Sequence, residues 1–279
     1  MDIKISNFTN IKYQNLLRDL GLTEPRSIEV SITPNKVITS EFVWPSGNES
    51  QHMDMCIAWL RSVVTIPGGK QLYSVAGQSE LLNYDFESYS LRGTTDLVFI
   101  SNAYVKTYNV RAGIEIAVEL KKEVSSLDFK QATLELVAAG ISSHFPVVVL
   151  LTDLRKSWQF SWFAKSGIQR SSLQCSEAVA FIEEILNESR NNPVHGRLTM
   201  TEYLKGRDGI ESSSAPHMTD QEVVDELLSG KRTDPYDLIA KPEVGNMEEF
   251  FDEMTEAEIT RYKLNHVVKA LPPWMQMYA

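Results

Sequence analysis

Residues 93–123 read "GTTDLVFISNAYVKTYNVRAGIEIAVELKKE": an aspartate heads one apolar run, and an acid and a base stand inside a second. Successive side chains of a strand leave on opposite faces, so Glu119 and Lys121 share one face while Val118 and Leu120 take the other. Asp96 lies far enough upstream for a strand, a connection and a return to the neighbouring strand. A hairpin of this kind gathers two carboxylates and an ammonium at one point on a sheet.

Buried carboxylates side by side cost several kcal/mol unless they are paired or coordinated, so the trio implies a cation between Asp96 and Glu119. With no Cys or His at hand, an all-oxygen donor set selects Mg²⁺ or Mn²⁺ over zinc. Such an ion acidifies a water and neutralises a phosphodiester under in-line attack. Lys121 is then placed to orient that water or to stabilise charge developing on the phosphorus oxygens. The same residues also fit a solvated Glu119–Lys121 salt bridge, with Asp96 ending a turn after Gly93.

Working outward, "QHMDMCIAWLRSVV" has Met53, Ile57, Leu60 and Val64 at the helical period. Glu49, four residues before Met53, falls on the same stripe if the helix extends that far, which would supply a third carboxylate. "KQLYSVAGQSELLNY" reads as a strand or hairpin, and "YSLRGTTDLVFIS" and "AGIEIAVELKKE" as strands. "LDFKQATLELVAAGIS" reads as a helix with Gly140 placed as its C-terminal cap. "FPVVVLLTDL" is the continuous apolar run of a strand buried on both faces. "WQFSWFA" adds a strand and "CSEAVAFIEEILNESR" a surface helix. The core order is therefore helix, three strands, helix, strand. Residues 1–45 hold β-like pieces ("SIEVSI", "KVITSEFVW"), residues 46–190 the core, and 191–218 a polar, turn-rich linker. Residues 219–279 form acidic amphipathic helices, with Thr255 and Glu258 as a capping box.

"GTTD", "VELKK" and "KQATLELVAA" together resemble the PD-(D/E)xK nuclease superfamily. More narrowly, "FVWPSGNES", "GTTDLVF", "VELKKE", "QATLELVAA", "VVVLLTDL", "WQFSWF" and "NMEEFFDEMTEAEI" are similar to the nuclease-type C-terminal domain of Crinkler effectors, from about Phe42 to the end. The resemblance implies an α/β (α+β, mixed-sheet) fold: a restriction-endonuclease-like αβββαβ core with an acidic helical extension. It implies Asp96 and Glu119 as metal ligands, Leu120 as a ligand through its backbone carbonyl, and Lys121 as the catalytic lysine. Glu49 matches the helix-1 acid that many members add to the metal site, and Gln131 a glutamine that assists from the following helix. Thr95 stands where the superfamily has Pro, and these residues do not match the translocation header of Crinklers. DNA rather than RNA is the implied substrate and the nucleus the implied location; the residues themselves choose neither.

The chain has 279 residues and a net charge of −10, from 27 Lys+Arg against 37 Asp+Glu. From Gly206 onward the count is 7 against 15, leaving 20 against 22 before it, so the acidity belongs to the tail. The nearly neutral body is free to present a local basic groove, which Lys122, Lys130, Arg155 and Lys156 would line unless they are scattered surface charges. No apolar run is long enough for a membrane span, and "MDIKISNFTNIKYQ" lacks the order of a secretory signal, so the chain reads as soluble. Cys56 and Cys175 show no metal-ligand spacing and read as buried thiols. "IPGGKQ" lacks a phosphate-loop signature and reads as a turn, while the five histidines show no ligand spacing. Two functions follow: a Mg²⁺- or Mn²⁺-dependent nuclease, or an inactive nuclease-fold module that binds a protein partner through its acidic C-terminal helices.

Overall fold

Apolar strands with few charges need cover on both faces, and the described residues form such a layered structure. The computed structural model describes residues 2–78, 80–85, 89–188 and 194–207, all within one compact unit. The acidic helices expected over 219–279 lie outside the described residues. In chain order the elements are β1 (Asp2–Lys4), α1 (Asn10–Asp19), β2 (Arg26–Ser27), and a 3₁₀ turn (Glu49–His52) leading into α2 (Met53–Val63). β3 (Lys70–Ser74), β4 (Tyr84–Asp85), β5 (Ser90–Arg92) and β6 (Leu97–Ser101) follow, then α3 (Asn102–Lys106), β7 (Ile114–Leu120) and α4 (Ser126–Ser142). The unit continues with β8 (Val148–Thr152), β9 (Trp158–Ala164), β10 (Gly167–Ser172), α5 (Cys175–Asn187) and α6 (Met200–Arg207).

Among these, seven strands make one mixed sheet in the order β2-β10-β9-β8-β7-β6-β3. β7 and β8 are parallel, joined by α4 as the crossover that parallel neighbours require; β3, β6 and β7 run antiparallel in turn. The expected order of helix, three strands, helix, strand is thus realised by α2, β3, β6, β7, α4 and β8, and the fold is mixed α/β as expected. A second small sheet, β1-β5-β4, stands apart from it.

The period of two in β7 decides what each layer contains. Ile116, Val118 and Leu120 join Cys56 and Leu60 of α2 and Phe181, Ile182 and Ile185 of α5 in one apolar cluster with Phe160 and Trp162 of β9. Glu115, Ala117 and Glu119 point to the other face, where α4 packs on β7, β8 and β9. Glu115 is answered by Lys70 of β3 at 2.6 Å, so one acid of this buried strand is paired without the candidate site.

Several expectations change. "YSLRGTTDLVFIS" is two strands, β5 and β6, in different sheets, because the Gly93–Asp96 segment carries the chain from one to the other. α5 is a core helix rather than a surface one: Val179, Phe181, Ile182 and Ile185 are buried against the sheet. α4 runs past Gly140 to Ser142, and Gly140 serves packing instead of capping, since a Cβ there would lie 3.0 Å from Cε2 of Phe163. Residues 1–45 contain α1, capped by Thr9 and burying Tyr13, Leu16 and Leu17, and their β structure is confined to β1 and β2. "SIEVSI" and "KVITSEFVW" otherwise run without regular structure, with Ile28, Val30, Ile32 and Ile38 packed on the main core as a strap. The stretch read as a linker carries α6, whose Met200 is buried. Both cysteines are free thiols; Cys56 is buried and Cys175 half-buried.

Gly140→Leu should lower stability by roughly 1–3 kcal/mol by forcing Phe163 out of its site. Urea denaturation with an unchanged m-value is the check; a neutral result would show that the α4–β9 contact yields.

Candidate active site

The β6–β7 register sets Leu97 opposite Val118, which brings Asp96 beside the C-terminal end of β7. Backbone on both neighbours holds it: Asp96 N donates to Val118 O at 3.2 Å, and Val75 N donates to Asp96 O at 3.0 Å. The Leu120 N–H donates to Asp96 Oδ2 at 2.8 Å, so the side chain is aimed as well as placed. Thr95 is buried, and its hydroxyl donates to Val118 O at 2.8 Å, tying the turn to β7.

Glu119 is 5% exposed on the α4 side of the sheet. Its Oε1 accepts from Lys121 Nζ at 2.6 Å and from Gln131 Nε2 at 2.6 Å. Lys121 stays beside it because both leave β7 on one face, and Gln131 reaches down from the second turn of α4. The Gln131 amide also donates to Oε1 of Glu135 at 3.0 Å. Glu135 is fully buried, and its Oε2 has no hydrogen-bond acceptor or donor partner among the described residues. The sequence reading missed this acid; its signal was the i, i+4 spacing from Gln131, which sets both on one helix face.

Asp96, Glu119, Lys121 and Gln131 are thus brought together, and all four line one cleft of about 510 Å³. Glu49 reaches the same end of β7 from the 3₁₀ turn rather than from α2, and its Oε1 accepts the Lys122 N–H at 2.7 Å. Its charge acts on Asp96 and Lys121, yet among the described residues no three His, Cys, Asp or Glu side chains converge to hold a metal. The Leu120 side chain belongs to the apolar cluster on the opposite face.

The electrostatics record unmet negative charge. Burial pushes the Asp96 carboxyl upward, and Glu49 adds to the shift against the Leu120 N–H and Lys121. Burial and then the Asp96 charge push Glu119 up to about 7. Complete burial, with Glu119 and Asp96 behind it, raises Glu135 well above the carboxylate range. Burial alone would lower the Lys121 ammonium, but Glu119, Asp96 and Glu49 more than reverse that and raise it. Glu119 also shares a hydrogen bond with the carboxyl of Glu135, while Asp96 Oδ1 accepts none from a described residue. Two hard oxygen donors with charge to spare, open to a cleft, fit Mg²⁺ or Mn²⁺, ions that take one or two carboxylates and keep several waters.

The basic residues suggested for a phosphate groove do other work. Lys122 Nζ donates to the carbonyls of Pro45 and Gly47 and sits over the Trp44 ring, which ties the strap to the end of β7. Lys130 donates to Asn10 Oδ1 and Arg155 to the Lys122 carbonyl, and none of these, nor Lys156, lines the cleft. His52 contacts the Ser46 carbonyl at 2.8 Å and closes a loop.

The raised carboxyls fix a pH dependence for the metal-free protein. The folded state binds more protons than the unfolded chain between the ordinary Glu range and about pH 7, so stability must fall as pH rises through that window. Urea unfolding in EDTA should show a decline on the order of a few kcal/mol from about pH 5 to about pH 8. Glu119→Gln should flatten much of the slope; an unchanged slope would mean that these carboxyls titrate normally.

Comparison with known proteins adds sequence similarity to Crinkler effectors. The chain is 38% identical over 80 residues to Crinkler effector protein 161 of Phytophthora sojae, covering 28% of this chain and 18% of that protein. It is 31% identical over 108 residues to Crinkler effector protein 2 of Phytophthora infestans, covering 36% and 24%. Crinkler effector protein 63 of Phytophthora sojae is 35% identical over 78 residues, covering 27% and 17%. The chain spans about a fifth of the length of the curated relatives it matches. No family model matches the chain. Nor does any solved structure. Homology to Crinkler effector proteins therefore holds over about 30% of the chain.

Proposed function

We propose that this chain is a metal-dependent nuclease of the PD-(D/E)xK type that hydrolyses phosphodiester bonds of DNA, and that it works as a Crinkler-type effector or a relative of one. The observation that carries the reading is the pairing of Asp96 and Glu119 across the β6–β7 hairpin, with Lys121 on Glu119 at 2.6 Å, in a cleft. A salt bridge kept only for stability would need neither the second carboxylate nor the buried Gln131 and Glu135 behind it.

Each residue has a distinct task. Asp96, aimed by the Leu120 N–H, and Glu119 would hold the cation; the Leu120 carbonyl and Glu49 are the further donors that the resemblance names. Mg²⁺ or Mn²⁺ bound there supplies positive charge to the phosphodiester and acidity to a water. Lys121 donates protons from an ammonium that stays charged across the physiological range, orienting the attacking water and stabilising negative charge on the phosphorus oxygens. Gln131 holds the Glu119 oxygen that also receives Lys121. As the water oxygen bonds to phosphorus and the bond to the leaving oxygen breaks, the water would release a proton to solvent and the leaving oxygen would take one up from solvent, with Lys121 holding the water.

Cleavage of supercoiled plasmid and of a single-stranded oligonucleotide by the purified protein tests this with Mg²⁺, with Mn²⁺ and with EDTA. Nicking should need the metal and should fall at least about 100-fold in both Asp96→Asn and Lys121→Ala. In parallel, Mn²⁺ should raise the melting temperature of the wild type but not of Asp96→Asn. Absence of cleavage with either metal, together with no thermal shift, would favour an interaction module that acts through a protein partner.

A further inference from the structure

The small sheet β1-β5-β4 contributes to the cleft, and its basic residues are used by nothing described so far. In β1 and the residue after it the period of two buries Ile3 and Ile5 and leaves Lys4 exposed; in β5 Leu91 is buried and Arg92 half-buried. The parallel register pairs Lys4 directly with Arg92, so the two cations stand side by side on one face, and both line the cleft with Asp96, Glu119 and Lys121. Like charges directly opposed across a strand pair are destabilising unless an anion answers them. Asp85 answers part of this, holding the Arg92 guanidinium at 2.5 Å, while the Lys4 ammonium has no ion pair among the described residues. Gly93 fixes the distance to the carboxylates: Cβ of Ile5 lies 2.8 Å from where a Gly93 Cβ would be, so β1 is pressed onto the segment that leads to Asp96.

We infer that Lys4 and Arg92 grip a phosphate of a single nucleic-acid strand whose sugar–phosphate backbone lies along this cleft, read without regard to base sequence. The inference rests on the nuclease reading above and deepens it. Size argues for one strand: 510 Å³ is the volume of a sphere about 10 Å across, too small to take in both strands of a duplex. Chemistry argues for the backbone. Among the described residues no aromatic side chain lines the cleft to stack a base, and Ser6 and Asn83 beside the two cations suit phosphate and sugar oxygens. Among the described lining residues Lys4, Arg92 and Lys121 are balanced by Glu80, Asp96 and Glu119, so a divalent cation makes their sum positive.

The test is fluorescence anisotropy of labelled oligo-dT, oligo-dA and their duplex with the full chain in Ca²⁺, as a function of salt. The variants are Lys4→Ala, Arg92→Ala and, as a control outside the cleft, Lys165→Ala. Wild type should bind the two single strands alike and the duplex several-fold more weakly. Lys4→Ala and Arg92→Ala should each weaken single-strand binding several-fold and reduce the salt slope by about 0.7, with Lys165→Ala unchanged. Since Lys4 is exposed, its variant cannot fail merely by unfolding. Single-strand binding equal to wild type in both cleft variants, or duplex binding as tight as single-strand binding, overturns the inference even if plasmid cleavage stands. Loss of binding in these variants by a protein that cuts nothing would support the grip and sink the nuclease reading alone.

Discussion

A carboxylate taken out of water must find positive charge or donated hydrogen bonds, and Glu119 is where that constraint bears hardest. It sits in the interior strand of a mixed sheet, beneath α4, with Asp96 beside it adding negative charge. One of its oxygens receives both an ammonium and an amide, and the Glu135 carboxyl shares a hydrogen bond with it from α4. Concentrating the ammonium and the amide on one oxygen fixes the side-chain rotamer, as holding a ligand requires.

The rest of the fold can be understood as the means of keeping that arrangement rigid. The parallel β7–β8 pair needs a crossover, and the crossover helix α4 is what delivers Gln131 and Glu135 to the back of Glu119. The antiparallel β6–β7 pair gives Asp96 its place, through a register set by apolar residues on the far face, where Leu97 and Val118 belong to the same cluster. A slip of one residue would turn every side chain of β7 over and would put Glu119 into that cluster, so the core enforces the site. The 3₁₀ turn and the Lys122 contacts to Pro45 and Gly47 close the same end of β7 from the strap.

Much of this was legible because it follows from short-period patterns. Alternation in "AVELKK" placed Glu119 and Lys121 on one face, and the continuous run at "VVVLL" identified a strand buried on both sides. What was not legible depended on partners distant in sequence. The "SIEVSI" and "KVITSEFVW" pieces have β propensity, but beyond the short β2 pairing with β10 tertiary packing makes them a strap. β10 was hidden because Gln169 and Arg170 break its apolar pattern, although Gly167 at φ +110° marks the hairpin that makes it. Gly140 reads as a cap on local rules, and only the ring of Phe163 reveals a packing glycine. Glu135 could not be recognised as part of the site until α4 was known to lie over β7.

The overall charge of −10 speaks against a polyanionic ligand only while charge is averaged over the chain. Binding is decided within a Debye length, about 8 Å at physiological ionic strength. Among the described residues of the cleft, three cations face three acids, two of which are the candidate donors for a divalent ion. The acids that make the metal-free site unfavourable for a phosphate are thus the ones that, once an ion is held, turn it favourable. The same two carboxylates then govern ion and phosphate together, and neither affinity is interpretable without the other.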